Sequence, residues 1–141
     1  PNILVKYCRN SDQILLFTAF LFKKSKHLFG INHLKHSSFV CVTEGSLDTI
    51  WLNQNGFPSI AILGAILSKV QEELLSKLPI EELVICLDND DAGQKGKERL
   101  MTCMTQNFVV SYIKLPKGVK DVQDVKTKKE LEAIIQHRDI W

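Results

Sequence analysis

From Phe39 onward, short apolar runs alternate with stretches whose apolar residues recur every three or four positions. The runs "FVCV" (Phe39–Val42), "SIAIL" (Ser59–Leu63), "LVICL" (Leu83–Leu87) and "FVVSYI" (Phe108–Ile113) are β-branched and apolar, and each predicts a buried strand. Between them the spacing predicts helices. Ser46–Asn55 has Ser46 as its N-cap, Leu47, Ile50 and Trp51 on its inward face, and Gly56 to close it. Ser68–Leu78 has Ser68 as N-cap, the stripe Val70, Leu74, Leu75, Leu78, and Pro79 as its stop. A helix from Asp91 to about Gln106 carries Leu100, Met101 and Met104. A loop over 116–124 leads to a last helix, Lys126–His137, with Leu131, Ile134 and Ile135 inward.

Strands joined by helices through short connections predict an α/β fold with a mostly parallel sheet. Near-continuous apolar strands agree, because parallel strands are covered on both faces. Ligands in such sheets sit beyond the carboxyl ends of the strands. Glu44 and Asp88 both fall there. The first 38 residues read differently: "ILLFTAFLF" (Ile14–Phe22) fits a hairpin or a buried helix, and periodicity does not separate them. The expected division is an N-terminal α+β segment over 1–38, an α/β domain over 39–125 and a C-terminal helix over 126–141 packed on it.

Composition changes this picture little. At 141 residues, 45% hydrophobic and 24% charged, the chain suits one globular domain with its own core. The net charge of +2 does not announce a polyanion partner, but its distribution is uneven. Lys23, Lys24 and Lys26 cluster before the first strand, and Lys114, Lys117, Lys120, Lys126, Lys128 and Lys129 follow the fourth. Cys8, Cys41, Cys86 and Cys103 form no C-x-x-C pair, so no zinc signal exists, and free thiols in strand-like runs point to a reducing, cytoplasmic setting. No apolar run is long enough to span a membrane. The chain begins at Pro1 rather than Met, as an excised piece of a longer protein would.

The informative chemistry is acidic. "LDNDDAG" (87–93) places Asp88, Asp90 and Asp91 directly after a predicted strand. On extended backbone Asp88 and Asp90 project to one side, where like charges repel and raise a pKa. A divalent cation relieves that conflict, and Mg²⁺ takes one or two carboxylates together with substrate phosphates. Glu44, before Gly45, supplies a ligand or general base from the first strand end. Asp48 and Asp121 are further candidate ligands. Asp91 is expected to cap the helix, and Gly93 to let backbone or phosphate come close.

Together, "VTEGSLDTIWLNQNGFPSIAILGAILS" and "LVICLDNDDAGQKGKERL" resemble the TOPRIM domain shared by primases, topoisomerases and certain nucleases. Within that group the chain is most similar to bacterial and phage-type DNA primases. Glu44-Gly45-x-x-Asp48 resembles their Glu-Gly-x-x-Asp, 88–93 their Asp-x-Asp-x-Ala-Gly, and Leu115-Pro116 with Lys120-Asp121 their Leu-Pro and Lys-Asp. Lys6-Tyr7, Asn10-Ser11, Phe22-Lys23-Lys24 and 28–31 resemble the primase run that leads into the metal domain. The resemblance implies Mg²⁺ or Mn²⁺ held by Glu44, Asp88 and Asp90, with Asp48 and Asp121 beside them. It implies contacts to nucleotide or nucleic acid at Lys6, Lys24, Gly45, Gly93 and Lys120. The implied activity is nucleotidyl transfer making RNA primers during DNA replication. The implied partners are a single-stranded DNA template, nucleoside triphosphates, the RNA primer and a replicative helicase engaged through regions outside this chain. The setting would be a bacterial cytoplasm, with a bacterial or phage gene.

Three departures stand out: Ala65 replaces a usual threonine, Asp91 stands where primases often carry lysine, and "KDVQDV" replaces Lys-Asp-Pro-Asp. The zinc-binding domain, basic subdomain and helicase-linked region of primases have no counterpart here, so the chain on its own is expected to be a core fragment or stand-alone relative, with activity of the isolated chain in question. Two other functions use the same acids: a TOPRIM nuclease, and a nucleic-acid-binding module without activity. The run over 6–31 favours the primase. His33-x-x-His36 lacks a third ligand and reads as surface, Leu47 and Trp51 read as core, and Lys126, Lys128 and Lys129 as a solvated helix start.

Overall fold

The computed structural model describes residues 23–34 and 36–141. Among the described residues, five strands, β1 (Phe39–Thr43), β2 (Ser59–Ala61), β3 (Glu82–Cys86), β4 (Val109–Tyr112) and β5 (Asp139–Ile140), form one sheet in the order β2-β1-β3-β4-β5. The first four pair in parallel, and β5 adds to β4 antiparallel. The helices α1 (Ser46–Gln54), α2 (Lys69–Leu75), α3 (Asp91–Met104) and α4 (Lys128–Gln136) cover it. The expected α/β architecture with a mostly parallel sheet is the one found.

Both faces are dry. On one, Val40, Val42, Leu83, Ile85 and Val110 meet Leu75 of α2 and Leu100, Met101 and Met104 of α3. On the other, Cys41, Val84 and Cys86 meet Leu52 of α1 and Leu131 and Ile135 of α4. Alternate residues of each strand thus face opposite cores, which is why the strand runs are apolar throughout. Cys41, Cys86 and Cys103 are free, the first two fully inside the sheet. The Cys41 thiol beside it and burial push the Cys86 thiol up.

Several local expectations are corrected. Ser46 is not the cap of α1; Gly45 is, extended at φ −100° and ψ 155°, and its carbonyl accepts from Thr49 N at 3.4 Å. The inward face of α1 is rotated too. Leu47 is 65% exposed and Ile50 faces solvent, while Asp48, Thr49 and Leu52 are buried. The cause is a polar contact beneath the helix: Thr49 Oγ1 lies 2.7 Å from Thr43 Oγ1, and Ser59 Oγ donates to the Thr49 carbonyl at 2.9 Å. In α2, Ser68 is the cap in a reciprocal capping box with Gln71, as the sequence allows, but Gln71 rather than Val70 faces inward. Strand β2 stops at Ala61 because Leu63 takes a left-handed conformation, φ 59°. After α4, capped by Thr127 and Glu130, the chain returns as the edge strand β5, which the sequence did not announce.

Candidate metal centre

In this strand order the connection from β1 runs to β2 on one side, and the connection from β2 crosses back past β1 to β3 on the other, with β4 beyond it. A crevice therefore opens at the carboxyl ends of β1 and β3, the switch point where open α/β sheets bind ligands. Thr43 pairs with Cys86 across that end. Glu44 follows Thr43, and Asp88 comes two residues after Cys86, so both carboxylates project from adjacent strand ends.

Burial and mutual repulsion dominate the electrostatics. Glu44 is held above the ordinary carboxylate range by burial, with Asp88 and Asp90 adding repulsion and Lys120 opposing it. Asp88 is raised by burial as well, and Lys120 relieves part of this, its Nζ lying 3.5 Å from Asp88 Oδ2. Asp48, on the first turn of α1 and 7% exposed, is pushed up to about 6 by burial first and then by Asp121 and Asp88. Two oxygens in this group, Glu44 Oε2 and Asp48 Oδ1, are buried without a hydrogen-bond partner among the described residues. Buried acceptors of that kind are rare in folded proteins, and here they belong to carboxylates that also repel one another.

The other predicted residues have distinct places. Asp90, not Asp91, caps α3: its Oδ1 accepts from Gly93 N at 2.9 Å, and Asp91 is the first helical residue. Asp90 is extended at φ −127°, which suits a cap, whereas Asp91 is already committed to helix. Asp121 caps the 3₁₀ turn Val122–Asp124, accepting from Gln123 N and Asp124 N. Asp124 Oδ2 accepts from Lys120 N, and the Lys120 carbonyl accepts from Asn89 N at 2.7 Å. The Lys120 loop is thereby fastened to the strand end that carries Asp88.

Gly45 and Gly93 are explained by close approach. A Cβ at Gly45 would stand 2.7 Å from Asp48 Oδ2, so the glycine lets that carboxylate fold back over the strand end. A Cβ at Gly93 would stand 2.0 Å from the Asp88 carbonyl oxygen, so α3 seats directly on the Asp88 backbone. Lys24 lies exposed in the 3₁₀ turn Lys24–Lys26. Lys6 falls outside the described residues.

Among the described residues no three His, Cys, Asp or Glu side chains are arranged as a closed cage for an ion. The donors nevertheless fit Mg²⁺ or Mn²⁺. They are all oxygen, two of them lack any partner, and a cation that keeps most of its waters needs only one or two carboxylates. Sequence reasoning missed the buried Thr43–Thr49 pair, and it missed Gln71. For Gln71 the signal was a polar residue at a position that the stripe Leu74, Leu75, Leu78 assigns inward; the Thr43–Thr49 pair left none.

The Toprim-like family matches residues 41–126. A DNA primase of Campylobacter jejuni is 27% identical over 135 residues, which cover 92% of this chain and 21% of that protein. A DNA primase of Rickettsia typhi is 33% identical over 138 residues, 90% of this chain and 22% of that protein. Among solved structures, the zinc-binding and RNA polymerase domains of the Aquifex aeolicus primase superpose with a TM-score of 0.71 at 30% identity, covering 86% of this chain and 32% of that one. The chain spans about a fifth of the length of these curated relatives. It belongs to the Toprim-like family, and the relatives it resembles are DNA primases.

Proposed function

We propose that this chain is the metal-binding catalytic part of a DNA primase, which transfers nucleotides to make RNA primers on single-stranded DNA during replication. The observation that carries the reading is the pair of unpartnered oxygens, Glu44 Oε2 and Asp48 Oδ1, beside Asp88 at the switch point of the sheet. Glu44 and Asp88 are the residues that would hold Mg²⁺ or Mn²⁺, with Asp48 and Asp121 flanking them and the second oxygen of Asp90 within the same cluster. A bound divalent cation there supplies neutralisation of phosphate charge and polarisation of the oxygens in the displacement.

The rest falls to the chain's own groups. In the transfer, the primer 3′-hydroxyl oxygen bonds to the α-phosphorus of the incoming triphosphate, the bond from that phosphorus to the bridging oxygen breaks, and pyrophosphate leaves. Glu44 would receive the hydroxyl proton through the oxygen that does not hold the cation. Lys120 would give up Asp88 to meet a phosphate oxygen. Gly45 lets the Asp48 carboxylate fold over the end of β1, Gly93 lets α3 seat against Asp88, and Lys6 and Lys24 serve the nucleic acid.

The test is RNA synthesis from nucleoside triphosphates on single-stranded DNA with Mg²⁺ or Mn²⁺, alongside Mn²⁺-dependent triphosphate binding by the chain. Loss of both in Glu44→Gln and Asp88→Asn is the expected result. A chain that neither makes RNA nor binds triphosphate with Mn²⁺ contradicts the reading, and strand cleavage without triphosphates would reassign it as a nuclease.

A further inference from the structure

Gln71 is 1% exposed, and every polar atom of its side chain is engaged. Its Nε2 donates to the carbonyls of Ile62 at 2.6 Å, His27 at 2.9 Å and Lys24 at 3.1 Å, and its Oε1 accepts from Ser68 N at 3.0 Å. One amide offers two protons, so three carbonyls converge on a single donor group. Ser68 Oγ ties the turn a second time by donating to the Ser25 carbonyl. The carbonyls of Lys24, Ser25 and His27 are thus all drawn toward α2, and the side chains of Lys23, Lys24 and Lys26 are left exposed.

The turn sits at the functional edge of the sheet. Phe29 bridges Ala61 in the antiparallel sense along the outside of β2, so the chain at 24–26 lies beyond the carboxyl end of that strand. Ile62, whose carbonyl Gln71 holds, donates its N–H to the Thr43 carbonyl at 3.1 Å, and Thr43 precedes Glu44. With strands about 4.8 Å apart, the end of β2 is one strand from Glu44 and about two from Asp88.

We propose that Gln71 is a positioning residue: by holding three carbonyls it fixes the basic turn beside the Glu44–Asp88 crevice, where its lysines grip the phosphates of a nucleic-acid strand entering that crevice. This rests on the primase reading. A buried glutamine at this place in the stripe, where an apolar residue would fill the core at less desolvation cost, has its rationale in the turn it anchors.

The experiment measures binding of a fluorescent single-stranded DNA oligonucleotide by the chain across a salt series. Gln71→Met keeps the shape and removes the donors. It is expected to weaken binding on the order of tenfold and to flatten the salt slope by about two, since each of three lysine–phosphate contacts contributes about 0.7 on single strands. Lys24→Ala should flatten the slope by about 0.7. Thr127→Ala, which removes a remote helix cap, should leave affinity and slope unchanged although it destabilises the fold, so destabilisation alone does not imitate the effect. Unchanged slope in Gln71→Met, with a loss in Lys24→Ala, overturns the positioning role alone. No binding by the unaltered chain, or no effect of Lys24→Ala, overturns the nucleic-acid reading of the turn and the inference with it. If Gln71→Met fails to fold, Ser68→Ala cuts the second tie; a severalfold loss supports the inference and unchanged affinity overturns it.

Discussion

Asp48 is a carboxylate that the metal-free fold pays to keep charged, so Asp48→Asn should make that fold more stable. The group is 7% exposed and its pKa is pushed up to about 6 from 3.8 by burial, Asp121 and Asp88. A raised carboxylate pKa means that the folded state holds its proton more tightly than the unfolded state does. Stability from this group is therefore complete at low pH and declines as pH rises from the unfolded value through the folded one. Above pH 7 the deficit approaches about 3 kcal/mol, two pKa units and a fraction at about 1.36 kcal/mol each, and at pH 4 it shrinks to about 0.6 kcal/mol. Asparagine keeps an oxygen for the backbone N–H groups and adds N–H donors toward neighbouring carboxylates. Allowing for relaxation in the variant, the expected gain is about 1–2 kcal/mol at pH 7.5 in EDTA. Urea unfolding at pH 7.5 and pH 4 measures it. A gain at pH 7.5 that collapses at pH 4 fits the reasoning; no gain, or one equal at both pH values, refutes it.

Other outcomes follow from the packing. Gly93→Ala places a methyl 2.0 Å from the Asp88 carbonyl oxygen, and the resulting shift of α3 should destabilise the chain by roughly 1–3 kcal/mol in urea unfolding and weaken Mn²⁺ binding at Asp88. Arg138 donates to both Glu82 oxygens at 2.6 Å, with Ser111 on the same carboxylate, so Arg138→Met should lower stability by roughly 1.5–3 kcal/mol. The hydrogen bond from Arg138 holds Glu82 below the usual carboxylate range, so that contribution is present at neutral pH and lost as pH falls through the depressed value; acid titration of the Arg138→Met variant should show a shallower loss. Thr127→Ala removes one half of the α4 capping box and should reduce stability by about 1 kcal/mol, read by thermal or urea unfolding.

What the sequence made legible follows from which forces are local. Strands β1 to β4 announce themselves because burial on both faces demands apolar runs, and Glu44 and Asp88 stand out because acids directly after such runs fall at the ligand-binding edge. Helix phase was less legible. Leu47 and Ile50 suggested an inward stripe, but the Thr43–Thr49 contact and the turn at Gly45 rotate α1, and a hydroxyl pair between elements leaves no periodic trace. The choice between Asp90 and Asp91 as cap depends on one backbone torsion, which two adjacent acids do not encode. Gln71 was hidden because its partners, Lys24 and His27, lie more than forty residues away. Strand β5 is two residues long and gains its identity only by pairing with β4.

The central claim is that Glu44 and Asp88 form one divalent-cation site at the switch point of the sheet. A Mn²⁺ titration followed by paramagnetic broadening of backbone amide signals tests it most directly. Broadening that begins at residues 44–45 and 88–89 at substoichiometric Mn²⁺, and that disappears in Glu44→Gln and Asp88→Asn, is the predicted result. Broadening that starts elsewhere, or that persists at those residues in both variants, would contradict it.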